Sequence, residues 1–143
     1  MTVRAILDLK GREVCTIAPV ATLAAAARLL SDRHIGAVVV TGADARVIGI
    51  LSERDIVRAL AARGSGALEE QVAQAMTRDV ITCGGDETIP ELMHHMTAGR
   101  FRHVPVVENE RLAGIISIGD VVKYRLAEME REKGALEEYI RTA

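Results

Sequence analysis

Apolar and polar positions along the chain sort into short β-branched runs separated by helical patterns, and this order of segments occurs twice. Val14–Ile17 reads as a first strand, and a helix follows from about Thr22 to Arg33 with Thr22 as its N-cap. Ala37–Thr41 is a β-branched run, Gly42–Ala45 a polar turn, and Val47–Leu51 a second apolar run. A further helix closes the unit. In the second half Val80–Cys83 is the first strand. Thr88, Pro90 and Glu91 predict a capped helix start with a Thr-x-x-Glu box, and Gly99 its end. His103–Val107, a turn at Glu108–Glu110, and Leu112–Ile116 then repeat the strand pair. An offset of 66 lays Val14 on Val80, Thr22 on Thr88 and Val38 on Val104; beyond Val40 it becomes 65, laying Gly49 on Gly114, Ser52 on Ser117 and Asp55 on Asp120. A one-residue gap in a turn is what a duplicated unit tolerates.

Each half therefore reads β-α-β-β-α, an α+β unit whose sheet would show an apolar face to water if it stood alone. Two copies bury those faces against each other about a pseudo-twofold axis. The break is expected at Arg63–Gly66, giving halves 1–66, with the N-terminal segment, and 67–143, with Leu68–Met76 as a short linking helix. Near the C-terminus Val122, Leu126, Met129, Lys133, Leu136 and Ile140 recur at spacings of 4, 3, 4, 3, 4, a heptad-like stripe interrupted by Lys133. Gly134 is a point where that helix could break. The stripe has two readings: a helix folded back on its own module, or a contact between two copies.

Composition narrows the partners. A net charge of −2 argues against a phosphate-backbone binder, and Phe101, Tyr124 and Tyr139 are the only aromatic residues, too few for base-stacking platforms. No nucleic-acid partner is expected. No run approaches eighteen apolar residues, so no membrane span is expected, and Met1–Lys10 has no apolar segment of signal-peptide type. Cys15 and Cys83 are too few for a disulfide framework and fit a reducing cytoplasm.

The strongest chemical constellation is Ser-x-x-Asp, twice: Ser52/Asp55 and Ser117/Asp120. Its spacing is that of a helix capping box. An aspartate in such a box still has lone pairs for a ligand diol, and the helix N-terminus supplies N–H groups for phosphate. Other candidates carry less. His94 and His95 are adjacent on a helix and point about 100° apart, so they do not face one metal. Neither cysteine has a CxxC partner, and each reads as a small buried hydrophobe. There is no Gly-x-x-x-x-Gly-Lys or Gly-x-Gly-x-x-Gly loop, and Ser52 and Ser117 lack a neighbouring base. No metal site and no enzymatic activity are expected.

The duplicated unit, with Gly49–Asp55 (GILSERD), Gly114–Asp120 (GIISIGD), Ala75–Thr77 (AMT) and His103–Val107 (HVPVV), resembles the CBS domain pair, or Bateman module, over about residues 5 to 127. The resemblance implies a stand-alone, non-catalytic regulatory module that binds adenine nucleotides (AMP, ADP, ATP, NAD or S-adenosylmethionine) between its halves. It implies a homodimer, an effector protein and no obligatory cofactor. Each site would take its aspartate from one half and its adenine lining from the other. The Asp120 site, with Ser117, would use Cys15, Ile17, Ile35, Gly36, Ala37 and Val38; the Asp55 site, with Ser52, would use Ile81, Cys83, Phe101, Arg102 and His103. Arg102, His103 and Arg54 would meet phosphates, and Lys10 would either reach one from the edge or be a solvated cation. The small Gly36 and Ala37 make the Asp120 site the expected better adenine pocket. Two adjacent sites would also suit one dinucleotide. The alternative is a structural or interaction module whose Ser-x-x-Asp pairs only cap helices.

Overall fold

The computed structural model describes residues 1–142. The elements run α1 (Val3–Lys10), β1 (Thr16–Ile17), α2 (Leu23–Arg33), β2 (Ala37–Thr41), β3 (Val47–Ser52), α3 (Glu53–Arg63), α4 (Val72–Ala75), α5 (Ile89–Gly99), β4 (His103–Glu108), β5 (Arg111–Ser117) and α6 (Ile118–Thr142). β1 runs parallel to β2, and β2 pairs antiparallel with β3. β4 and β5 form the matching hairpin of the second repeat, turning through Asn109 and Glu110 at φ 53° and 64°. The mixed α and β architecture with two repeats agrees with the sequence.

Two cores hold it. Leu23, Ala26, Leu30, Val38, Val40 and Leu51 fill the first, and Val104, Val106 and Ile116 lie in the second. Val39 and Pro105 point to the other faces of their sheets by strand alternation and are buried as well. Each sheet is thus covered on both sides.

Three local readings are corrected. The Val80–Cys83 strand shrinks to one parallel bridge, Cys83 to Val106, because Val80 N–H turns back to Arg78 O at 2.9 Å. The Leu68–Met76 helix is instead a 3-10 stretch, Gly64–Glu69, and the single turn of α4. Glu70 and Gln71 are extended between them, so that Glu70 O accepts from Leu23 N–H at 2.9 Å and Gln71 bridges Thr22. Gly99 ends α5 as the sequence indicates, with the left-handed turn falling on Arg100 at φ 56°, as it does on His34 after α2 at φ 55°. Thr88 closes half of its box: Oγ1 accepts from Glu91 N–H at 3.3 Å, with no return bond.

The N-terminal segment, contiguous in sequence with the first half, packs into the second. Val3, Ile6 and Leu7 of α1 are fully buried in the second core. In α4, Val72 and the adjoining Met76 are buried in the first core. The two preceding helices are therefore exchanged: each repeat is covered by the helix that comes before the other. The symmetry is visible at two glycines. A Cβ on Gly49 would lie 2.5 Å from Met76 Sδ, and one on Gly114 would lie 2.6 Å from Leu7 Cδ2. Both strands need glycine there because a covering helix comes too close for a side chain. Gly11 at φ 103° ends α1 in a conformation that side chains resist.

Candidate functional site

Two clefts open where the repeats meet, and each begins with a Ser-x-x-Asp turn. Ser52 is the N-cap of α3. Its Oγ accepts from Asp55 N–H at 3.3 Å, and Asp55 Oδ2 accepts from Ser52 N–H at 2.9 Å and Ser52 Oγ–H at 3.1 Å. At α6, Ser117 Oγ accepts from Asp120 N–H at 3.1 Å and Asp120 Oδ2 from Ser117 N–H at 2.9 Å. Both motifs are complete capping boxes, each holding its aspartate at a helix start.

The Asp55 cleft is a cavity of about 430 Å³. Ser52, Arg54 and Asp55 come from the first repeat, and Phe101, Arg102 and His103 from the second, as the cross-half arrangement requires. Gly36 and Ala37 also line it. Arg58 and Arg100 were missed by sequence reasoning; with Arg54 and Arg102 they make four guanidinium groups against the carboxylates of Glu53 and Asp55. Asp55 is 7% exposed, and Arg58 Nη1 is 3.7 Å from its Oδ1. Ile81 and Cys83 do not line this cleft. Ile81 is half exposed outside it because the expected strand is absent, and Cys83 faces the second core.

The Asp120 cleft is about 390 Å³, lined by Lys10, Cys15, Ile35, Gly36, Ala37, His103, Ser117 and Asp120, with His34 and Glu13 added. Ile17 and Val38 are not in its wall; Val38 is in the first core and Ile17 packs against it. His34 and Arg100 hold equivalent places, one in each cleft. Their signal was the helix end just before β2 or β4, where a left-handed residue swings its side chain back over the strand.

Lys10 is no solvated cation. Its Nζ donates to Asp120 Oδ2 at 2.5 Å and to Ile115 O at 2.9 Å. The equivalent carbonyl in the first repeat, Ile50 O, accepts from Thr77 N–H at 2.9 Å. A lysine ammonium therefore replaces a backbone donor, and only in this cleft. Burial pushes the Asp120 carboxyl up, but the Lys10 and Ser117 hydrogen bonds and the Lys10 charge outweigh it, leaving it below its ordinary value. His103 lines both clefts, and burial depresses its pKa, with Asp120 opposing and Lys10 and Arg102 adding to the fall. A depressed histidine contributes stability that is present above its unfolded value and lost as pH falls, so unfolding midpoints should drop below about pH 6.5. That step should be absent in His103→Gln; a profile identical to wild type would count against it.

Among known proteins, the CBS domain model matches residues 6–62 and 72–127. The chain belongs to the CBS-domain family. The CBS-domain containing protein ATU1752 of Agrobacterium tumefaciens is 54% identical, with TM-score 0.83 over 87% of this chain and 92% of that one. The CBS domain pair of MJ0100, solved in complex with 5′-methylthioadenosine and S-adenosyl-L-methionine, is 25% identical, with TM-score 0.80 over 90% and 98% of the two chains. CBS domain-containing protein CBSCBSPB5 of Arabidopsis thaliana is 32% identical over 133 residues, 92% of this chain and 24% of its own length. The chain thus spans about a quarter of that larger relative. This CBS pair has no helix, among the described residues, long and apolar enough to cross a membrane.

Proposed function

We propose that this CBS pair is a non-catalytic sensor of adenosyl ligands, with AMP, ADP, ATP, NAD and S-adenosylmethionine as the candidate class. One observation carries the reading: each cleft joins a capped aspartate of one repeat to the opening of a strand in the other. A ribose diol on that aspartate and an adenine against the opposite strand tie the halves together. Occupancy then changes their relative angle or stiffness, and with it the surface offered to an effector protein. The balance of charge differs between clefts. Gly36 and Ala37 line both clefts and do not separate them; Asp120, neutralised by Lys10 and beside Cys15 and Ile35, suits the adenosine part, and the arginine-rich Asp55 cleft suits phosphates. The ligands of MJ0100 support the adenosyl class for this fold.

The test is calorimetric titration of ligand-stripped protein with AMP, ATP, NAD and S-adenosylmethionine, with phosphate release followed in parallel. Saturable heat without turnover supports a sensor. A ligand at 100 times its Kd should stabilise the fold by about 2.7 kcal/mol. A second reading is favoured by the closed caps: both Ser-x-x-Asp boxes are satisfied without a ligand, as in a pure scaffold. No heat and no stabilisation with any of the four would establish that reading.

Thiol labelling gives an independent check. Burial, with the Glu87 charge adding, pushes the Cys83 thiol up to about 12, so it should resist a maleimide in the native state. Cys15 stands in the wall of the Asp120 cleft and should react. Saturating ligand should slow Cys15 labelling; equal rates with and without ligand would place the ligand elsewhere.

A further inference from the structure

A single imidazole stands in the wall between the two clefts. Gly36 and Ala37 lie at the opening of β2, and Arg102 and His103 hold the equivalent places at the opening of β4, an offset of 66. Gly36, Ala37 and His103 line both clefts, and of these three only His103 can carry a charge. Its ring reaches across to the first repeat: Cε1 lies 3.8 Å from where a Cβ on Gly36 would stand. Within its own sheet His103 pairs with Ser117, which caps α6 beside Asp120. The second repeat thus places an ionisable ring where the first has only the methyl group of Ala37.

Charged groups act on this ring from every element around it. Glu53 of α3 and the adjacent Arg102 belong to the Asp55 cleft, and Lys10 of α1 and Asp120 of α6 to the other. Arg54, Asp55, Arg58 and Arg100 complete the charges of the first cleft, and Glu13 and His34 those of the second. Burial, then Lys10 and Arg102, favour the neutral ring, while Asp120 and Glu53 favour the charged one. An anion among the arginines shifts this balance. It offsets the guanidinium charge and offers the ring an acceptor that holds the charged form more tightly. We propose that an anion entering the Asp55 cleft brings a proton onto His103, so that one event charges the wall of both clefts. The proton comes from solvent and settles on the unprotonated ring nitrogen; no covalent bond to the anion forms. By linkage, the proton tightens the anion by the factor with which the anion tightens the proton. The ring's pKa is lower without the anion and higher with it. Affinity therefore climbs as pH falls through the interval between the two values, and levels off below it. This role rests on the phosphate reading of the Asp55 cleft, and an anion that carries no adenosine separates the two.

The probe is inorganic sulfate, which keeps its double charge across the range where imidazole titrates, about pH 5 to 8. The full chain is titrated with sulfate, with chloride holding the ionic strength constant, and the His103 ring signal is followed by NMR after assignment through the backbone. Sulfate affinity should rise as pH falls, by at most about tenfold per pH unit, the limit for one proton. Saturating sulfate should move the His103 ring titration to higher pH. His103→Gln should flatten the rise. Asp120→Asn should move the rise to lower pH, because Asp120 supports the charged ring from the other cleft. His34→Gln, which alters the Asp120 cleft alone, should leave the rise in place. Arg54→Met with Arg102→Met should abolish sulfate binding, which places the anion in the Asp55 cleft. Saturable sulfate binding with an unmoved His103 titration would overturn the inference and leave the phosphate reading standing. A rise that persists unchanged in His103→Gln would overturn it as well. No saturable sulfate binding at any pH would also overturn it, and the nucleotide titrations then judge the cleft separately.

Discussion

Leu7→Ala is expected to destabilise the protein by about 2–5 kcal/mol, as truncation of a buried leucine does. Leu7 is fully buried in the core of the second repeat, with Val104, Ile116 and Val121. Its Cδ atoms lie over Gly114, where even a Cβ would not fit beside them. The vacated space would therefore be bounded by backbone, which relaxes poorly. Denaturant unfolding of wild type and variant measures the loss, and native-state hydrogen exchange should place it in β4, β5 and α5 first. Leu9→Ala is the control, because Leu9 is 63% exposed; it should change stability by no more than about 0.5 kcal/mol. Equal effects at the two positions, or protection lost first in the first repeat, would show that α1 does not cover the second.

Asp120→Asn is expected to weaken adenosyl binding by about tenfold to a hundredfold, the range for losing hydrogen bonds to a charged group. Asparagine can still accept from Ser117 N–H, so the helix cap survives and the loss reports on the ligand. Lys10 should separate ligands by charge. Its ammonium holds one carboxylate oxygen of Asp120 and leaves its remaining donor to the cleft. Lys10→Met should therefore weaken a phosphorylated nucleotide. It should leave 5′-methylthioadenosine unchanged or tighter, because the carboxylate is freed for the diol. Calorimetry on the same protein batch compares the two. Loss of both ligands alike would make Lys10 merely structural. If Asp55→Asn harmed adenosine binding more than Asp120→Asn, the preferred adenine cleft would be the arginine-rich one.

The duplication was legible in sequence because its signals are local. Strand runs, N-caps at Thr22 and Thr88 and the two Ser-x-x-Asp boxes act within a few residues, and all of these caps form. The resemblance that rests on these signals implied half of each cleft: Ser52, Arg54 and Asp55 at one box, Ser117 and Asp120 at the other, and Gly36, Ala37, Arg102 and His103 at the strand starts. Ile17, Val38, Ile81 and Cys83 did not follow. A strand's alternation says that neighbours face opposite ways, but not which side becomes cleft and which core.

Tertiary structure decided the rest. Val3, Ile6 and Leu7 form an apolar stripe of one short helix, and eight residues carry no record of which sheet they will cover. The exchange of α1 and α4 between repeats is settled by packing between segments far apart in sequence. Lys10 reaches Asp120 only because of that exchange, so its pairing was unreadable in a list of cations. Likewise the stripe on α6 was plain in the sequence, while its exposure emerged only when Val121 and Tyr124 took the inward side of the helix. The sequence by itself determined the repeated elements and their caps, since these depend on contacts within a turn or two. Which faces meet, and therefore what each cleft holds and what α6 leaves uncovered, depended on burial that no single segment achieves alone.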